Sequence, residues 1–121
     1  MTEGITVAPV KPEITLADLE QIDIRVGTIV AVDEVAGSDK LLKLTVDLGD
    51  QQRTILSGMK QERENRTEII GKQALFVVNL PARKMMGEIS EGMLFDLGYA
   101  DGILPCLAMP ERPVPNGTRA G

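Results

Sequence analysis

From residue 22 to residue 33, apolar and polar side chains alternate with a period of two. Ile22, Ile24, Val26, Thr28, Val30 and Val32 fall on one face, and Asp23, Arg25, Gly27, Ala31 and Asp33 on the other, with Ile29 the exception. Such alternation predicts a strand with one buried face. A Gly37-Ser38-Asp39 turn leads to a second alternating run, Leu42, Leu44, Val46 and Leu48 against Lys43, Thr45 and Asp47. Gly49-Asp50 then turns the chain into a third strand over residues 53–59, and so short a connection predicts an antiparallel hairpin. Residues 60–70, KQERENRTEII, are polar and helix-compatible and predict a surface helix or helical connection, stopped by Gly71. The apolar run at 73–80, ended by Pro81, predicts a buried fourth strand. Residues 90–97 predict a fifth, in which Met93 and Phe95 share a face expected to be core. Residues 103–109 are compatible with a short extra strand, and Pro110, Pro113 and Pro115 make the tail extended.

Ahead of the first strand, Thr15 and Asp18 form an imperfect capping box for a short helix bearing Leu16, Leu19 and Ile22. Residues 1–13, with Pro9 and Pro12 and no period, read as a flexible lead, so the folded domain is expected over 14–121. Five strands without βαβ alternation predict an all-β barrel or sandwich. A helical insert after the third strand narrows this to a five-stranded oligonucleotide-binding (OB) barrel with a carboxyl-terminal extension.

Charge changes the picture more than composition does. The chain carries a formal net charge of −5, which alone argues against a nucleic-acid binder. Yet residues 51–84 hold seven basic and three acidic side chains, a basic island in an acidic chain. The competing reading of that island is ordinary solvated surface. Aromatic residues are few, only Phe76, Phe95 and Tyr99, so this is not a stacking platform for splayed bases. The single Cys106 excludes an internal disulfide; with no signal peptide and no long apolar run, a cytoplasmic, non-membrane protein is expected.

Catalytic chemistry finds little to work with. Histidine is absent, and no CxxC, HExxH, Walker-A or GxGxxG pattern occurs, so neither enzyme activity nor a metal or other cofactor is expected. Glu62, Glu64 and Glu68 read as solvated. Candidate contacts with a polyanion are Arg25 on the polar face of the first strand, Lys40 after the Gly-Ser-Asp turn, Lys43 on the second strand, and the Arg83–Lys84 pair beyond Pro81. Ser57, Asn79 and Ser90 stand at strand ends, where their polar groups can serve phosphate, base edge or the turn itself.

Six segments in order, IDIRVGTI (22–29), GSDKLLKLTVDLG (37–49), ILSGM (55–59), IIGK (69–72), VVNLPARKM (77–85) and ISEGMLF (89–95), resemble one family. It is the tRNA-binding domain found at the carboxyl end of bacterial methionyl-tRNA synthetases, in free-standing tRNA-binding proteins, in a secretion-chaperone branch and in eukaryotic synthetase cofactors. The likeness covers about residues 13–119. It implies an OB-fold homodimer that binds structured tRNA by shape without catalysing anything, with the methionyl-tRNA synthetase catalytic chain as a further partner. It also implies an RNA surface made of Arg25, Lys40, Ser57, Asn79, Arg83, Lys84 and Ser90. Met86 stands where many members carry a basic residue. With roughly four to six phosphate contacts, the logarithmic salt slope is expected near −3 to −5. Ile103, Leu104, Leu107, Met109 and Val114 are more apolar than a proline-rich tail needs and are expected to form the dimer contact. A protein-binding, chaperone-like role is the alternative. Whether the chain stands alone or is a piece of a synthetase is open.

Overall fold

Alternation of the kind seen at residues 42–48 buries one face of a strand, and in the computed structural model, which describes residues 7–121, Leu42, Leu44 and Val46 are fully buried. They belong to β2 (Leu42–Asp47), second in an antiparallel sheet ordered β3-β2-β1-β4-β7-β8. The others are β1 (Ile24–Glu34), β3 (Gln52–Ser57), β4 (Gln73–Val77), β7 (Met93–Leu97) and β8 (Cys106–Leu107). A separate two-stranded hairpin joins β5 (Arg83–Met85) to β6 (Glu88–Ser90). The class is mostly β, as the pattern predicts.

β1 departs from its pattern, for a physical reason. A β-bulge lies between Ile29 and Ala31: Ile29 pairs with Val46 and Ala31 with Thr45, leaving Val30 unpaired. An inserted residue reverses which side chains face inward. Ile29, the exception to the alternation, is therefore a fully buried core residue, while Val30 is exposed. Before the bulge the inward position is Gly27, where a Cβ would lie 2.5 Å from Val46 Cγ1 and 2.9 Å from Leu48 Cδ2. No side chain fits where β1 crosses β2.

The core gathers Ile29, Leu42, Leu44, Val46, Ile55, Met59, Ile69, Ala74, Phe76 and Leu94 among others. Only one of its members is aromatic, so packing rests on branched aliphatic side chains. The expectation that Met93 and Phe95 face the core is overturned. Leu94 is 7% exposed, whereas Met93 and Phe95 are 47% and 39% exposed, because β4 pairs Phe76 with Leu94 and both point inward. Leu107 is also buried, while Ile103, Leu104 and Met109 are exposed.

The helical insert takes a different form from the one expected. Residues 60–70 form two short 3₁₀ turns, Lys60–Glu62 and Arg66–Ile69. Between them Asn65 is extended, and its Oδ1 accepts from the Thr67 N–H at 3.2 Å and hydroxyl at 2.6 Å. A segment this short and polar has too little to hold an α-helix together. Ile69, fully buried, anchors it instead. The true helix is α1 (Leu16–Glu20), with its capping box complete: Thr15 Oγ1 accepts from the Asp18 N–H, and the Asp18 carboxylate accepts from the Thr15 N–H. Of the lead expected at 1–13, residues 1–6 lie outside the described residues. Residues 7–13 carry no regular element, and the Ala8 N–H donates to Asp101 at 2.6 Å. The tail runs back along β1: the Val26 N–H donates to Thr118 O at 2.8 Å, and the Gly117 and Ala120 N–H groups donate to Val26 O and Ile24 O.

Candidate nucleic-acid interface

A two-residue hairpin loop of type I′ needs left-handed backbone at both central positions. Met86 (φ 52°) and Gly87 (φ 83°) provide it, and the turn lets Arg83 pair with Ser90, Lys84 with Ile89 and Met85 with Glu88. The hairpin lies across the outer strands. Lys43 Nζ on β2 reaches Glu88 at 3.4 Å, and the Met86 methyl lies 3.4 Å from where a Cβ on Gly37 would stand. Its tip thus meets the loop that carries Lys40.

Arg83 and Lys84 are exposed, and among the described residues neither side chain has an ion-pair or hydrogen-bond partner. Lys40 is in the same condition: exposed, with its backbone carbonyl held by the Lys60 N–H at 3.0 Å and its ammonium unpaired. Two unpaired cations on the hairpin and a third in the loop its tip meets are groups that can serve phosphates. Ser57 is half-buried at the end of β3, opposite Leu42, and shares a cleft with Lys40.

The other predicted site residues are engaged by partners within the chain, Ser90 buried, Arg25 part-buried and Asn79 exposed. Ser90 is 3% exposed; its hydroxyl accepts from the Leu56 N–H at 3.0 Å and donates to Gly92 O at 3.0 Å, joining the hairpin to β3. Asn79 uses both ends of its amide: Oδ1 accepts from the Asp23 N–H at 2.9 Å, and Nδ2 donates to Gln21 O at 2.7 Å. Arg25 makes a two-point pair with Asp23 (2.7 and 3.1 Å) and donates to Gly117 O at 3.1 Å. The Arg25 hydrogen bond holds the Asp23 carboxyl below its ordinary value, helped by Arg119 at 3.2 Å and opposed by burial. Arg25 and Asn79 sit at the start of β1, and Lys40 lies beyond its far end. The structure therefore brings the hairpin tip against the loop that carries Lys40 and puts Lys40 and Ser57 in one cleft, while Arg25 and Asn79 sit at the other end of β1.

Sequence reasoning passes over three residues here. Arg53 NH1 donates to Val78 O at 2.7 Å and Glu91 O at 3.2 Å, holding the edge of β3 against the ends of β4 and β6. Glu62, read as solvated, is part-buried, and its carboxyl is pushed up first by burial and then by Asp96. Tyr99 is 80% exposed beside them. Arg53 sits on the polar positions of its strand and was legible as a surface residue. The meeting of Glu62 with Asp96 had no signal in the sequence, since thirty-odd residues separate them.

Comparison with known proteins agrees with this architecture. The methionine–tRNA ligase of Bacteroides fragilis is 40% identical over 110 residues, covering 91% of this chain and 16% of that protein. The chain thus spans less than a fifth of the curated relatives it matches. Among solved structures, a protein from Pyrococcus horikoshii described as MetRS-related superposes with a TM-score of 0.82 at 28% identity, over 92% of this chain and all of that one. The CsaA chaperone of Bacillus anthracis superposes with a TM-score of 0.74 at 25% identity, over 91% of this chain and all of that one. The family model described as "Putative tRNA binding domain" matches residues 24–119, from the first residue of β1 to the tail that folds back along it, and the chain belongs to that family.

Proposed function

We propose that the protein is a non-catalytic module that binds structured tRNA by shape and phosphate contacts, as an appended domain or free-standing cytoplasmic partner of methionyl-tRNA synthetase. The observation that carries this reading is the exposed hairpin whose Arg83 and Lys84 lack partners among the described residues. Cations left unneutralised on an acidic protein favour a polyanion that supplies the missing charge. Hydrogen bonds from the Leu56 N–H to Ser90 Oγ and from the Glu91 N–H to Thr54 O draw β6 against the edge of β3, which supports an OB-like barrel with the hairpin as a flap over its rim. Asn79, Ser90 and Arg25 serve this interface by holding that frame. Lys40 and Ser57 meet RNA beside the hairpin tip.

A homodimer fits the outward face of β7. Met93, Phe95 and Leu97 are 47%, 39% and 49% exposed in alternation, and Leu104 and Met109 extend the apolar surface. A patch of this kind suits a protein contact. The same face also favours the second reading, a chaperone-like binder of apolar peptides, given the likeness to the CsaA chaperone.

Titration of folded bulk tRNA at two salt concentrations tests the first reading. Salt-sensitive binding lost in the Arg83→Ala/Lys84→Ala double variant supports it. No binding even at low salt, with capture of an unfolded apolar peptide, overturns it in favour of the second.

A further inference from the structure

An open cleft of about 830 Å³ lies between the first 3₁₀ turn and the loop after β7. Its walls include Lys40, Ser57, Gly58, Glu62, Asp96 and Tyr99. That volume is ample for one nucleotide. Among the described residues, the part-buried carboxylates Asp23, Asp47, Glu88 and Asp101 each have a hydrogen-bond or ion-pair partner, whereas the part-buried Glu62 and Asp96 have neither. Tyr99, the sole tyrosine, stands on a single turn flanked by Gly98 and Gly102 with its ring open to solvent. Lys40 is an unpaired cation on the side nearest the hairpin, and a Cβ at Gly58 would meet nothing within 4 Å.

Each feature asks for a different part of one ligand. Three aromatic residues make no platform for a run of splayed bases, but one open ring offers a stacking face for a single unpaired base. A carboxylate accepts two parallel N–H groups, as it does from a guanidinium fork. Among the RNA bases, guanine alone presents two such donors side by side, N1–H and N2–H. Adenine sets an acceptor beside its amino group, and uracil flanks its one imide N–H with two carbonyls, so both put lone pairs against the carboxylate. A cation at the rim suits the attached phosphate. The carboxylates alone would carry nothing; the aromatic, the cation and the volume beside them do.

We propose that this cleft holds one unpaired guanine nucleotide of the bound RNA, stacked on Tyr99, with its Watson–Crick edge on the Glu62–Asp96 pair and its phosphate at Lys40. This rests on the tRNA-binding reading and adds base selectivity to it. Ile103 and Leu104 also line the cleft, so a dimer contact through this segment would border it.

NMR titration with 5′-GMP, 5′-AMP and argininamide tests it, because a single tyrosine makes the ring resonances of Tyr99 a one-site reporter. GMP should shift them upfield and bind about fivefold or more tighter than AMP, in line with the discrimination a good bidentate pair provides. Glu62→Gln/Asp96→Asn should bring the ratio towards one. Tyr99→Ala, which removes an exposed side chain and leaves the fold intact, should weaken both nucleotides. Equal binding of GMP and AMP, or no shift with either, overturns the inference. Argininamide binding more tightly than GMP also overturns it and makes the cleft a peptide site. A negative result with GMP while tRNA still binds through Arg83 and Lys84 defeats the cleft alone; absence of tRNA binding by the wild type defeats the reading beneath it.

Discussion

Ser90 and Arg83 face each other as a pair across one hairpin, yet their surroundings are opposite. The hydroxyl of Ser90 is buried and makes two hydrogen bonds within the fold; the guanidinium of Arg83 is exposed and makes none among the described residues. Asn79, though exposed, falls on the side of Ser90 by its two hydrogen bonds, and Lys84 and Lys40 fall on the side of Arg83. A polar residue in a binding family thus serves in one of two ways. It can hold the frame, where its loss costs stability, or it can meet the ligand, where its loss costs affinity. The two are separable by measurement because a satisfied buried group and a solvated free one respond to different variables.

The largest stability effect is expected at Ser90. Ser90→Ala leaves the Leu56 N–H unpaired in a buried site, which costs about 1–3 kcal/mol. Urea unfolding should show this, while the folded fraction binds tRNA normally. Unchanged stability with weakened binding would move Ser90 to the other side of the comparison. Next is Arg83→Ala/Lys84→Ala, expected to leave the unfolding midpoint within about 0.5 kcal/mol of wild type and to make the logarithmic salt slope of tRNA binding shallower by about two units. A destabilised variant with the same slope would show the pair to be structural. Asn79→Ala should cost about 1 kcal/mol, since its amide links Asp23 and Gln21, with no change in the salt slope.

Met86→Lys sharpens the comparison from the other direction. It adds a cation at the hairpin tip and should steepen the slope by about one unit. An unchanged slope would mean that RNA does not reach the tip. The smallest effect concerns two carboxylates of opposite sign. Glu62 has its pKa raised, so the stability associated with it is full below the ordinary glutamate value and is lost as pH rises through the folded value. Glu62→Gln should therefore stabilise the protein near neutrality, with the gain vanishing in acid. Asp23 has its pKa lowered, so Asp23→Asn should destabilise near neutrality, with the loss vanishing as pH falls through the folded value. Thermal unfolding from pH 3 to 7 checks both signs, and like signs would defeat the assignment.

Much of the frame was legible along the chain. β2 alternates without interruption because nothing breaks its register, and its inward residues are those the pattern names. The fourth strand begins at Gln73 as the pattern says but stops at Val77, ahead of Pro81, and Thr15 with Asp18 starts α1. Arg83 and Lys84 stood out as a basic pair after a strand, and exposed they are. Ile29 was misplaced because a bulge is a matter of pairing with β2 and leaves alternation on one strand looking merely flawed. Met93 and Phe95 were misplaced because period two says which residues share a face and not which face is buried. Residues 60–70 have helical propensity, but the buried Ile69 and the extended Asn65 set their shape.

What the sequence by itself determined is local and periodic: a β-rich chain, its turns, an apolar set without aromatic weight, and a basic segment within an acidic whole. Backbone sterics and hydrophobic alternation act between near neighbours, so they can be read in one dimension. Only the tertiary structure decided which polar groups have partners. Asn79 reaches Asp23 and Gln21, Ser90 reaches Leu56, and Glu62 meets Asp96, each across more than thirty residues. A hydrogen bond or a repulsion depends on distance in space, and chain separation carries no information about that distance once the sheet has folded.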